Sequence, residues 1–259
     1  MITSSQNPKI KLVRALAGRP KERRENDAFL AEGVRLVEEA FLSGWDFRFI
    51  LYTDGLSQRG QDLVRKLIAK GVDVEPVAAN LLQSVTETET PQGILAVLAL
   101  DLPGSRLPAA QPTFVLIPDQ IRDPGNLGTL LRTAAAAGAE AVYIPPETTD
   151  PFAPKAVRAG MGAHFRLPLH LLTWVEIRSR VAGLSVYLSD AGGEKSCWEV
   201  DFRSPTALII GGEADGASEH ARELATAAIR IPMPGSMESL NAGAAGAVLM
   251  FEVVRQRNR

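Results

Sequence analysis

Three stretches in the second half of the chain combine glycine with polar side chains at spacings that suit a small ligand. The first is PDQIRDPGNLG at 118–128, where Asn126 is followed six residues later by Arg132. The second is GGEADG at 211–216, where Gly211 and Gly212 precede Glu213. The third is PMPGSMESLNAGAAG at 232–246, where Ser239 and Asn241 stand just ahead of a run of Ala and Gly. Glycine at a strand end lets backbone approach a bound molecule, and a helix start directs several unsatisfied N–H groups at whatever lies in front of it. Each Gly inside a helix costs about 1 kcal/mol of propensity, so Gly243 and Gly246 imply crowding, by another backbone or by a ligand. Arg132 lies on an otherwise apolar Leu/Ala helix. It reads either as an exposed side chain on a surface helix or as a fixed cation beside a ligand. Neither GxGxxG nor a Walker A loop is present, so the dinucleotide and P-loop fingerprints do not apply.

The elements around these stretches alternate. Apolar strands are predicted over 114–117, 141–144, 165–169, 184–189, 207–210 and 229–231. Helices are predicted over 127–137, 155–162, 173–182 and 219–225, with a last helix from 240 or 241. Strand, loop, helix and strand in succession imply a parallel sheet. In such sheets ligands bind in the crevice outside the strand C-termini. Three glycine-bearing loops at strand ends therefore predict one nucleotide-like site.

The first hundred residues form a separate α/β pattern. Strands are expected at 29–31, 47–52, 72–77 and 93–100, and helices at 33–42, 61–70 and 80–85. Residues 102–112 hold three prolines and a glycine without periodicity, the signature of a linker. The domains are thus expected at 1–102 and 113–259, joined by 103–112. The N-terminus is basic, with Lys9, Lys11, Arg14, Arg19, Lys21, Arg23, Arg24 and Arg35 against four acids. Ile10, Leu12, Val13 and Leu16 give a helical pattern capped from Ser4, Ser5 or Asn7. Either a solvated amphipathic helix or an arm that touches phosphates fits this charge.

Composition narrows the field. The 259 residues are 46% hydrophobic and 22% charged, an ordinary globular profile, with a net charge of -2 that gives no whole-chain attraction to a polyanion. Three His and one Cys scattered along the chain supply no metal cluster, so no metal is expected. Cys197 cannot form an intrachain disulfide and is expected as a small core residue in a reducing compartment. No long apolar run opens the chain, so neither a signal peptide nor a membrane span is expected, and a cytoplasmic location follows.

Taken together and in order, the three stretches resemble a known family. Asp119…Asp123-Pro124-Gly125-Asn126-Leu127-Gly128…Arg132-Thr133, Ile210-Gly211-Gly212-Glu213…Gly216 and Ile231-Pro232-Met233…Glu238-Ser239-Leu240-Asn241 are similar to the three motifs of the SpoU (TrmH-type) RNA 2′-O-ribose methyltransferases of the SPOUT superfamily. The likeness runs from Phe114 to the C-terminus. Asn7-Pro8-Lys9-Ile10-Lys11, Phe29-Leu30-Ala31-Glu32-Gly33 and Thr90-Pro91-Gln92-Gly93 resemble that family's substrate-binding domain, which is similar in fold to ribosomal protein L30e. Gly160 departs from the pattern, standing where many relatives carry Ser.

The resemblance implies an α/β fold with a parallel sheet and a deep trefoil knot formed by the last loop and helix. That would be an exception to the general rule against threaded chains. It implies S-adenosylmethionine as cofactor, a homodimer with sites at the subunit interface, and transfer of a methyl group to a ribose 2′-hydroxyl. Arg132 would activate that hydroxyl. A guanidinium is very hard to deprotonate, so holding the target phosphate and stabilising the developing alkoxide is the easier role. Asn126 would orient Arg132 or the ribose, Ser239 and Asn241 would position nucleophile or cofactor, and Glu213 would hold a loop or Arg132. Gly211, Gly212, Ile231, Met233, Ser239 and Leu240 would bind the cofactor. The substrate must be RNA, because DNA lacks the 2′-hydroxyl. Large-subunit (23S) ribosomal RNA is the first expectation and transfer RNA the alternative. Lys9, Lys11, Arg14, Arg35, Lys155 and Arg158 are the expected phosphate contacts. A knotted RNA-binding protein without activity is the alternative of another class, and a nicotinamide enzyme lacks its glycine fingerprint.

Overall fold

The structure is a computed structural model, and it describes residues 1–86, 92–100, 111–212 and 216–258. The chain divides into two compact units, Met1–Leu102 with Phe152–Phe165, and Pro103–Pro151 with Arg166–Arg259. The expected linker falls mostly outside the described residues.

The first unit begins with two short helices, α1 (Pro8–Ala17) and α2 (Pro20–Glu25). Asn7 starts α1, its side chain accepting from the Lys9 N–H, with Pro8 pre-set for the first helical position. The sequence pattern gave no hint of α2, whose six residues PKERRE carry no apolar stripe. Four strands follow: β1 (Ala28–Glu32), β2 (Phe47–Tyr52), β3 (Val74–Pro76) and β4 (Ile94–Ala99). They order as β1-β4-β2-β3, antiparallel except for the β2–β3 pair. Helices α3 (Val34–Leu42), α4 (Gln58–Ala69) and α5 (Ala79–Gln83) connect them. Ile10, Val13 and Leu16 of α1 bury against Leu30, Leu51, Leu95 and Val97 of the sheet. The helix is therefore docked core structure rather than a free arm. Arg23, counted above among the basic residues of the arm, is buried, and its Nη1 donates to the Leu16 and Gly18 carbonyls at the end of α1. It caps a helix and is unavailable to a ligand.

The second unit carries a seven-stranded parallel sheet. Its strands are β5 (Phe114–Pro118), β6 (Ala141–Ile144), β7 (Leu169–Leu171), β8 (Ser185–Ser189), β9 (Lys195–Ser196), β10 (Thr206–Ile210) and β11 (Ala227–Arg230), in the order β7-β6-β5-β10-β8-β11-β9. Val115, Ile117, Ala207 and Ile209 pack one face against Ile177 and Ala221, from the helices α8 (Trp174–Arg180) and α9 (Glu219–Leu224). Helix α6 (Pro124–Ala136) packs against the last helix, α10 (Ala242–Arg257), which also lies on β10. Gln256 and Arg257 fix the far end of α10, donating to the carbonyls of Val200, Phe202, Thr113 and Ser204.

Between β6 and β7 the chain contributes α7 (Pro154–Gly160) to the first unit. The strand expected at 165–169 is not there. Residues Ala163–Phe165 make a 3-10 turn, and β7 starts only after Pro168, which has no N–H to give a ladder. Phe165 is instead taken up by an aromatic cluster with Phe29 and Trp45, ring centroids 6.4 and 5.3 Å away. That demand is non-local, and the sequence around 165 carries no sign of it.

Candidate active site

Asn126 and Asn241 meet at the starts of two helices. Asp123 caps α6, its Oδ1 accepting from the Asn126 N–H at 2.9 Å, and this starts the helix at Pro124, three residues before the expected 127. Asn241 caps α10 rather than lying inside it, its Oδ1 accepting from the N–H groups of Gly243 (2.9 Å) and Ala244 (3.3 Å). The remaining Asn241 amide donates from Nδ2 to Asn126 Oδ1 at 3.0 Å. One side chain thus closes a helix N-terminus and ties the first motif to the third.

Beside this link is a cavity of about 430 Å³, a size that takes a nucleoside-scale molecule. Its walls include Ile210, Ile231, Met233 and Leu240, with Ser239 and Asn241 at one side and Gly211 and Gly212 at the strand end. All six residues expected to bind a cofactor line it. The two glycines have a nearer reason to be small, however. A Cβ on Gly212 would stand 2.4 Å from the Gln120 carbonyl oxygen, and one on Gly211 would stand 3.0 Å from the Ala217 nitrogen. The chain's own backbone crowds them. The same holds in α10, where a Cβ on Gly246 would stand 2.3 Å from Leu130 Cδ2 and one on Gly243 3.0 Å from Thr129 Cγ2. The crowding read from the sequence is real, but its cause is α6.

Arg132 is exposed, does not line the cavity, and makes no hydrogen bond or ion pair with another described residue. Six residues of α-helix turn it roughly 120° away from Asn126 and carry it about 9 Å along the axis. Glu213 lies outside the described residues.

The loop after β8 was missed. Ser189, Asp190 and Ala191 line the cavity, as does Arg222 of α9. A signal was present, since Asp190-Ala191-Gly192-Gly193 follows an apolar strand much as Gly211-Gly212 follows Ile210. Asp190 is held below the usual carboxylate range, first by the Arg222 guanidinium and then by the Gly192 N–H, against partial burial. Asp119, at the end of β5, is fully buried. Its Oδ2 accepts from the Ser218 N–H at 2.7 Å, while its Oδ1 has no partner among the described residues. Burial pushes its carboxyl up, Ser218 pulls it down and Glu147 adds to the rise. Cys197 is buried and its thiol is pushed up to about 11, chiefly by burial, which removes it as a nucleophile.

Lys9 and Arg158, both expected RNA contacts, are held by carboxylates. Lys9 Nζ lies 2.5 Å from both Asp73 and Glu75, and the Arg158 guanidinium is paired with Glu32 at 3.6 Å. Lys11, Arg14, Arg35 and Lys155 are exposed. Among the described residues no group of His, Cys, Asp and Glu could hold a metal, and no helix is long and apolar enough to cross a membrane.

Residues 113–251 match the model of the SpoU rRNA Methylase family. The chain belongs to that family. Residues 7–96 match an MRM3-like substrate binding domain. The chain is 34% identical to the 23S rRNA (uridine(2479)-2′-O)-methyltransferase of Streptomyces viridochromogenes, over 98% of this chain and 92% of that protein. It is also 34% identical to the 23S rRNA (guanosine(2553)-2′-O)-methyltransferase RlmP of Bacillus subtilis, over 97% and 98%. Among solved structures, the AdoMet-bound rRNA methyltransferase of Sinorhizobium meliloti superposes with a TM-score of 0.85 at 33% identity, covering 98% of this chain and 97% of that one. The Asn126–Asn241 bond thus joins the first and third of the three stretches, and the second, through Gly211 and Gly212, lines the cavity beside them.

Proposed function

We propose that this chain is an S-adenosylmethionine-dependent RNA 2′-O-ribose methyltransferase acting on 23S ribosomal RNA. Support comes from its SpoU membership, from near full-length likeness to two 23S rRNA 2′-O-methyltransferases and from likeness to an AdoMet-bound structure. The observation that carries the reading is the cavity beside the Asn126–Asn241 bond, because its volume, apolar walls and glycine backbone fit an adenosyl group.

When bound there, S-adenosylmethionine supplies a methyl group on a sulfonium, already a good leaving group. The protein is left to hold the ribose in line and to stabilise the oxygen as it loses its proton. Ile210, Ile231, Met233 and Leu240 exclude water from the adenosyl side. Ser239 and Asn241 orient the reacting end, Asn241 being itself oriented by its cap and by Asn126. Positioning of this kind accounts for roughly 7–11 kcal/mol in well-oriented systems. Arg132 holds the target phosphate and stabilises the alkoxide, and because it stands outside the cavity of its own chain, it fits a site completed by a second subunit. A homodimer is therefore part of the proposal, favoured by the half-exposed Phe251 on α10. So are the trefoil knot and a working place in the cytoplasm, where ribosomal RNA is. Residues 1–102 serve as the substrate-binding domain, with Lys11, Arg14 and Arg35 on phosphates, and 113–259 as the methyltransferase domain, whose segment Phe152–Phe165 joins the first unit and adds Lys155 to those contacts.

Transfer of labelled methyl groups from S-adenosylmethionine to 23S rRNA tests this. Loss of one ribose methylation in a deletion strain would name the nucleotide. Transfer to tRNA alone would move the substrate, and cofactor binding without transfer to any RNA would leave a non-enzymatic knotted RNA-binding protein.

A further inference from the structure

Strand β8 lies between β10 and β11, so the turn after it emerges between the loops that begin at Gly211 and Ile231. That turn is fixed against β11. The Asp190 N–H donates to the Ile229 carbonyl and the Gly193 N–H to the Asp190 carbonyl, each at 3.0 Å. A Cβ on Gly193 would stand 2.7 Å from the Ile229 carbonyl carbon, so no larger residue lets the turn sit there. Asp190 is therefore presented to the cavity by rigid backbone.

Its carboxylate is also fixed. Oδ1 accepts from the Gly192 N–H at 2.9 Å and Oδ2 from Arg222 Nη1 at 2.8 Å. Asp190 and Arg222 are the charged side chains among the described residues lining the cavity. Because Arg222 neutralises it, the carboxylate stays ionised without making the cavity attractive to cations. Each oxygen keeps a further lone pair. A fixed, neutralised, two-oxygen acceptor suits two adjacent uncharged donors, which is the chemistry of vicinal hydroxyls. Its position along the sheet agrees. β8 is two strands from β5, roughly 10 Å, and the loop after β5 brings Asn126. A ligand whose reacting sulfonium lies near Asn126 and Asn241 has its ribose on the β8 side.

We propose that Asp190, aimed by Arg222, accepts hydrogen bonds from the ribose 2′- and 3′-hydroxyls of the cofactor. The assignment rests on S-adenosylmethionine as the ligand of this cavity. Carboxylates at strand ends meet ribose hydroxyls in other open α/β sheets, but here the acid comes from the one cavity loop that carries none of the three motifs.

Calorimetry on the full chain decides it, with S-adenosylhomocysteine, 5′-methylthioadenosine (which lacks the amino-acid tail) and the 2′- and 3′-deoxy forms of methylthioadenosine. Asp190→Asn, which keeps the Gly192 bond, is expected to weaken both ribose ligands by the same factor, about tenfold, the order of one charge-assisted hydrogen bond. The deoxy ligands should bind wild type more weakly and lose little more in the variant. Arg222→Gln, which leaves the turn intact, should weaken both ribose ligands equally but less. Three results overturn the proposal: unchanged affinity in Asp190→Asn, a loss for S-adenosylhomocysteine without one for methylthioadenosine, or equal losses for ribose and deoxy ligands. Failure of wild type to bind S-adenosylhomocysteine would instead remove the cofactor reading, and this proposal with it.

Discussion

Asn241 does two jobs that substitution can separate. In Asn241→Ala the α10 start loses its acceptor for the Gly243 and Ala244 N–H groups and the α6 start loses its partner. Loss of an N-cap costs about 1 kcal/mol, and an exposed side-chain hydrogen bond adds about 0.5–1. The sum, about 2 kcal/mol, should lower the melting temperature of this unit by about 4–8 °C. Asn241→Asp behaves differently. The carboxylate still caps the helix and gains from the N-terminal dipole, and Asn126 can turn its amide to donate instead of accept. Stability should stay within about 1 kcal/mol of wild type. The Nδ2 donor is gone, however, and Asn126 now faces the other way round. Methyl transfer should fall by about a hundredfold or more while thermal stability holds. Differential scanning fluorimetry beside a labelled-methyl transfer assay reads both. An Asn241→Asp enzyme with near wild-type turnover would show that the bond only braces the helices, and the catalytic part of the reasoning would fail.

Arg132→Ala should abolish transfer, by about a thousandfold or more, while calorimetric affinity for S-adenosylmethionine stays within about twofold; lost cofactor binding would refute its role on the RNA side. In RNA-binding titrations against salt, Lys11→Ala and Arg14→Ala should each lower the slope by about one unit if each touches a phosphate. Lys9→Ala should leave that slope unchanged and instead destabilise the first unit, because it strands Asp73 and Glu75. Asp119 has a raised carboxyl, so its contribution to stability is full below the unfolded value near 3.8 and is lost as pH rises through the folded one. Asp119→Asn should therefore melt at or above wild type at pH 7, with the gap closing near pH 4 in a pH series of melts. Gly246→Val meets fully buried Leu130 and should cost about 1–3 kcal/mol in urea unfolding.

The strands were legible because the buried parallel sheet writes itself as short apolar runs, TALII and FVLIP among them. The three site loops were legible because glycine and polar residues cluster where those runs end. Helix starts fall off the expected positions in both directions: early at Asn241, where the cap counts as helix in the sequence pattern, and late at Asp123, where the cap is overlooked. What could not be read was any feature whose reason lies far along the chain. Phe165 leaves the strand pattern to meet Phe29 and Trp45, Arg23 turns inward to α1, and Lys9 is claimed by acids more than sixty residues away. A basic residue in a sequence shows its charge but not whether a carboxylate already holds it.

The small residues of α10 connect these levels. An Ala/Gly helix is a poor helix on propensity and buries little area per residue, so its composition has to be repaid by something it makes possible. Gly243 and Gly246 let α10 close on Thr129 and Leu130 of α6. That approach brings the two helix starts near enough for Asn241 to reach Asn126 at 3.0 Å while still capping its own helix. Larger residues at 243 and 246 would push α10 away from α6, and a shift of about 1 Å would stretch that bond beyond useful length. The glycines thus fix the distance between the first and third motifs. Crowding by the chain's own helix, rather than room for a ligand, accounts for them.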